Sequence, residues 1–94
     1  MLIEKIGDAA MLELAAEECT ELAQACLKMA RDMRGDMPSF KSKEELYDHL
    51  CEEVADVRIC IEELSSGKVI DLGDVSKWEI SKKERNLERF SRKE

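Results

Sequence analysis

Two pairs of carboxylates fall where apolar side chains belong. On a helical wheel at about 100° per residue, Met11, Leu14, Ala15, Leu22, Ala25 and Met29 form one apolar face, and Glu18 lies in its middle. Glu21 follows one turn later at the edge of that face, with Glu17 further out. Further along, Leu46, Leu50, Val54, Val57, Ile61 and Leu64 recur every three or four residues. Glu53 lies inside that arc and Asp56 at its margin. Each stretch therefore carries two acids three residues apart, and such positions are neighbours on a helix surface. If the two faces pack antiparallel, Glu18, Glu21, Glu53 and Asp56 converge. Carboxylates gathered away from bulk water are costly to desolvate, repel one another and take up protons unless a cation is present. A hard divalent cation with oxygen ligands resolves the conflict. Mg²⁺ in addition keeps positions for water and for substrate phosphates. The plain alternative is that these acids lie on solvated faces; the matched spacing on successive helices argues against it.

The elements that must position these acids are helices. Between Ala9 and about Arg31 there is no Pro or Gly, and Ala, Leu, Glu and Met dominate, so a long helix is predicted there with Asp8 as its N-cap. Ile3 and Ile6 predict a preceding turn or short helix. Arg34-Gly35-Asp36-Met37-Pro38-Ser39 is the main break. Ser42-Lys43-Glu44-Glu45 reads as a capping box that opens a second helix running to about Leu64. Ser65-Ser66-Gly67 ends it, residues 68–73 connect, and a third helix is predicted from near Asp74 to about Phe90. Glu13, Glu44, Glu45, Glu52, Glu62 and Glu63 read as surface charge.

Composition agrees with an all-α fold, a short bundle of about three main helices in one domain spanning 1–94. Aromatics are only 4%, which disfavours a β-sandwich, and one Pro and four Gly leave few turns. A chain of 94 residues buries a modest core, so completion of the bundle by a second copy is expected. The net charge of −7 disfavours a nucleic-acid coat. The charge is uneven: residues 77–94 hold seven Lys/Arg against four Glu, leaving −10 on the remainder. No apolar run reaches the roughly 18 residues that span a bilayer, and the polar start is not a secretory signal. Cys19, Cys26, Cys51 and Cys60 contain no Cys-x-x-Cys pair and read as buried, reduced thiols of a cytoplasmic protein. Their spacing with His49 fits no common zinc pattern.

Glu17-Glu18-Cys19-Thr20-Glu21 resembles the Glu-Glu-x-x-Glu motif of the MazG-like all-α nucleoside triphosphate pyrophosphohydrolases, and Glu53-Val54-Ala55-Asp56 resembles its Glu-x-x-Asp partner. The stretches Glu17 to Lys28 and Glu52 to Leu64 look like this family beyond the acids, and the likeness covers roughly residues 8–90. Each motif alone is weak; the ordered pair is more specific. The resemblance implies hydrolysis of a nucleoside triphosphate between its α and β phosphates, yielding a monophosphate and pyrophosphate. It implies Mg²⁺, with Mn²⁺ as a substitute, held by Glu18, Glu21, Glu53 and Asp56, and assembly as a homodimer or homotetramer. Glu17 matches the motif's first acid, as a ligand or as a base. The segment 22–52 is slightly longer than the family's, and the N-terminal region lacks the aromatics often set there against the base.

In the third helix Val75, Trp78, Lys82, Asn86 and Arg89 share a face. Lys82 and Asn86 resemble the family's Lys-x-x-x-Asn element, which implies contact with phosphate and with sugar or base; the plain reading is a solvated basic helix. Trp78 reads as a core anchor. Lys28 lies beyond the acidic motif on its helix and is a further candidate for phosphate, and His49 sits one turn before Glu53. The chemistry expected of such a site is metal-assisted hydrolysis, with Glu17 or Glu21 taking the proton of the attacking water. Two other classes are weighed beside it. A non-catalytic helical interaction module would use the same stripes for a partner. A di-iron bundle expects Glu-x-x-His pairs, which neither acidic pair supplies. A single His and the lack of a nucleophile elbow or Gly-rich phosphate loop give no support to triads or P-loops.

Overall fold

A computed structural model describes residues 1–36 and 41–93, apart from the Lys93 side chain; the expected turn at Met37-Pro38-Ser39 lies outside the described residues. The described residues are all-helical: α1 spans Leu2–Ile6, α2 Asp8–Arg34, α3 Lys43–Ser66 and α4 Leu72–Lys93. No described helix is long and apolar enough to cross a membrane.

Helix boundaries follow local chemistry. Gly7, at φ 88° and ψ 167°, is the N-cap of α2, so Asp8 opens the helix rather than capping it. A side chain at that φ would be strained, which is why Gly stands there. Gly35 closes α2 in the left-handed conformation, its N–H donating to carbonyls of the last turn. Ser42 caps α3 as expected: its hydroxyl accepts from the Glu45 N–H at 3.1 Å and donates to the Glu45 carboxylate at 3.3 Å, in place of the reciprocal backbone bond of a full capping box. Helix α4 starts two residues earlier than expected, because Asp71 accepts from the Asp74 N–H at 3.0 Å.

α2 and α3 form an antiparallel hairpin, and α1 packs against both at its open end. Met11, Ile3, Cys60 and Leu64 make the core there, with Leu14, Ala15, Val69 and Ile70 packed on it. The approach is close enough that a Cβ on Gly67 would run into the buried Ile3 side chain. The inward positions recur every seven residues: Met11, Glu18, Ala25 and Asp32 on α2, and Leu46, Glu53 and Cys60 on α3. This register corrects the expected stripe. Val54 and Ile61 are exposed, while Glu53 and Cys60 take the central line of α3.

Three further expectations are corrected. Glu63 is not surface charge: it is buried, and its carboxylate accepts from the backbone N–H groups of Leu2 at 3.2 Å and Ile3 at 2.9 Å. It thereby caps α1 across the fold. Trp78 is 63% exposed and anchors no core, because α4 packs along none of the other helices. Of the four cysteines only Cys60 is buried; Cys19, Cys26 and Cys51 are exposed.

Candidate metal centre

The hairpin brings the two acidic pairs together. One carboxylate oxygen from each of Glu18, Glu21, Glu53 and Asp56 lies within 4.8 Å of the others. Opposite oxygens around Mg²⁺ stand roughly 4.2 Å apart, and around Ca²⁺ roughly 4.6–5.2 Å, so the cluster has the scale of one coordination shell. Glu18 and Glu53 enter from the two facing central lines. Glu21 and Asp56, three residues further along their helices, close the cluster from one side of the hairpin, where Glu21 is exposed and Asp56 half-buried. Burial thus falls from Glu53 outward to Glu21.

Its electrostatics are unresolved by protein groups. Glu18 Oε2 and Glu53 Oε2 are shielded from solvent and have no hydrogen-bond partner. The Glu53 side chain is 9% exposed, and His49 Nδ1 stands 3.8 Å from Glu53 Oε1. Burial, then the neighbouring charges of Glu21 and Asp56, push the Glu18 carboxyl above its usual range. Burial and Glu21 push Glu53 up as well, with His49 opposing. Burial raises the adjacent Cys60 thiol too, and the charges of Glu18 and Asp56 add to it. Two orphaned buried carboxylate oxygens facing two further acids suit a divalent cation as partner: every donor is a hard oxygen, and thiolate is disfavoured at Cys60.

The other expected site residues are placed less uniformly. Glu17 is exposed, one turn before Glu21 on α2. Lys28 is exposed two turns after Glu21 and on the same side of α2, since seven residues return to nearly the same direction. Lys82 and Asn86 are exposed on α4 and are not brought to the cluster within one chain. His49 was legible only as a neighbour of Glu53 one turn away; its contact needed the rotamers. A cavity of about 400 Å³, lined by Met29, Asp32, Met33, Lys43, Leu46 and Tyr47, lies nearer the closed end of the hairpin and contains none of the four acids.

No protein-family model matches the chain, and no curated protein or solved structure matches it.

Proposed function

We propose that this protein is a Mg²⁺-dependent nucleoside triphosphate pyrophosphohydrolase that acts in the cytoplasm as a homodimer or homotetramer. The observation that carries the reading is the meeting of the two acidic pairs, in which Glu18 Oε2 and Glu53 Oε2 are buried without a hydrogen-bond partner. The ordered motifs Glu17 to Glu21 and Glu53 to Asp56 supply the reaction class.

Glu18, Glu21, Glu53 and Asp56 would hold the ion, with Mn²⁺ as a substitute. Held there, a divalent cation would supply charge neutralisation for the phosphates and would ease deprotonation of the attacking water. Glu53, the most buried of the four, anchors the set, and His49 steadies its carboxylate. Glu21 and Glu17 stand on the open side, where an attacking water arrives, and either takes its proton. The water oxygen bonds to the α-phosphorus, the bond from that phosphorus to the bridging oxygen breaks, and pyrophosphate departs with the bridging oxygen. Lys28 lies along the same side and meets the departing phosphates. Lys82 and Asn86 contribute only if α4 of a second copy carries them there.

A screen of ribo- and deoxyribonucleoside triphosphates for pyrophosphate release, with Mg²⁺ or Mn²⁺, tests the reading. Replacing Glu53 or Asp56 by Ala is expected to lower the rate at least about 100-fold, the scale on which single electrostatic groups act in catalysis, with helicity retained. Full activity in either variant, or orthophosphate as the first product, refutes it. The second reading, a non-catalytic interaction module, is favoured by the exposed apolar residues of α4 and predicts no effect of Mg²⁺ on melting or turnover.

A further inference from the structure

We propose that a nucleotide held at the acidic cluster lies lengthwise along the hairpin with its phosphates toward the closed end, and that Arg31 grips the terminal phosphate, so that the site selects triphosphates over diphosphates. This rests on the pyrophosphohydrolase reading and adds to it the direction of the substrate and a residue that reads its length.

The two ends of the acid side differ in chemistry. Glu21 marks the exposed side of the cluster, and residues seven apart point in nearly the same direction from a helix. Lys28 therefore repeats the direction of Glu21, and Arg31 that of Glu17; both cations are exposed. Counted the other way, Leu14 and Ala10 repeat those directions toward the open end. There α3 adds Ile59, three residues after Asp56 and 53% exposed, and Glu63, whose carboxylate is taken up by α1. None of these four is a cation. A nucleoside thus finds apolar contact at the open end, and a polyanion finds charge at the closed one.

The two cations are also unengaged. Among the described residues no salt bridge involves Lys28 or Arg31, although the chain carries 22 Asp and Glu against 15 Lys and Arg. Glu45 and Glu52 of α3 lie on the same side, and the Glu45 carboxylate takes its hydrogen bond from Ser42 instead. Reach agrees with the assignment. At about 1.5 Å per residue, Lys28 and Arg31 stand about 10 Å and about 15 Å past Glu21 along α2. Long side chains on a helix lean back over the preceding turn. That brings the ammonium to about 5 Å and the guanidinium to about 10 Å from the level of Glu21. With the α phosphate at the cluster, Lys28 meets the next phosphate and the planar fork of Arg31 takes two oxygens of the terminal one. Arg31 also lies in the last turn of α2, where a cation favours the helix dipole. Arg34 shares that role but turns away from the acids, two residues past the inward Asp32, and so serves as a control.

Kinetics and binding on the full chain test this. The ratio of kcat/KM for a nucleoside triphosphate to that for its diphosphate, with Mg²⁺, is expected to fall at least about tenfold in Arg31→Gln, the scale of a hydrogen bond to a charged group. The loss is expected in KM for the triphosphate, with pyrophosphate still the product, and Arg31→Lys is expected to recover part of it. Arg34→Gln is expected to keep the wild-type ratio. Calorimetric titration with the Mg²⁺ complex of inorganic tripolyphosphate makes the same comparison without turnover. Arg31→Gln is expected to bind it at least about tenfold more weakly, and Ile59→Gln as tightly as the wild type. An unchanged ratio in Arg31→Gln, an equal effect of Arg34→Gln, or weakening of tripolyphosphate by Ile59→Gln rather than Arg31→Gln overturns the proposal. A wild type that releases pyrophosphate while Arg31→Gln keeps its ratio defeats this inference alone. A wild type that turns over no nucleotide, yet binds tripolyphosphate through Arg31, defeats the enzymatic reading and leaves the phosphate track standing; loss of both defeats both.

Discussion

Glu53 concentrates the residue-scale physics of this protein. It occupies a position that the hairpin otherwise gives to Leu46 and Cys60, and it does so without a hydrogen-bond partner for Oε2. Burial and neighbouring acids hold the folded-state pKa values of Glu18 and Glu53 above the ordinary 4.5. The folded protein therefore binds protons more tightly than the unfolded chain between those values. Stability from this source is present below the ordinary value and is lost as pH rises through the raised ones. Without divalent cations, the melting temperature is expected to fall as pH is brought from about 4.5 towards neutrality, followed by far-UV circular dichroism. At neutral pH, Mg²⁺ is expected to raise it, since a ligand bound only by the folded state stabilises that state. Glu53→Gln is expected to melt higher than the wild type in chelator at neutral pH and to lose the Mg²⁺ effect. A melting temperature indifferent to both pH and Mg²⁺ over this range would count against the cluster as a cation site. The wheel position of Glu18 and Glu53 was legible in the sequence because helix periodicity alone sets it. The contact of His49 with Glu53 was not, since it depends on rotamers rather than on spacing.

At the scale of elements, the parts set by near neighbours in the chain were legible and those set by distant partners were not. The Ser42 cap, the breaks at Gly35 and Gly67, and the three long helices all follow from residues within a turn of one another. Glu63 escaped because its partners are the N–H groups of Leu2 and Ile3, some 60 positions away. A hint was present in its place between the apolar positions Cys60 and Leu64. Trp78 escaped for a related reason: an amphipathic pattern marks a face that needs cover without saying whether the cover lies in the same chain. The inward line of α3 was rotated slightly from the most apolar stripe, because the acids and Cys60 meet α2 and Val54 and Ile61 do not. The Glu63 cap gives a direct test. Glu63→Ala leaves two N–H groups at the start of α1 without an acceptor, a loss of about 1–3 kcal/mol. For a domain of this size that lowers the melting temperature by roughly 4–8 °C per kcal/mol. Ser42→Ala removes the cap of α3 and is expected to cost about 1 kcal/mol. Thermal denaturation of the two variants beside the wild type compares them; a Glu63→Ala protein as stable as the wild type would show that α1 is held by Ile3 packing alone.

Across the whole molecule, charge and apolar surface are sorted by side. The acids open on one side of the hairpin, the exposed Leu12, Val54 and Ile61 lie on the other with Arg58 beside them, and the basic helix α4 stands apart from both. The account rests most heavily on the four carboxylates acting together on a divalent ion. Calorimetric titration of Mn²⁺ into metal-free protein at neutral pH measures this most directly. Saturable binding is predicted for the wild type, weakened at least about tenfold in both Glu53→Gln and Asp56→Asn, as loss of a ligand should exceed loss of a supporting group. A wild type that takes up no Mn²⁺ at millimolar concentration, or variants that bind it as tightly as the wild type, would contradict the account.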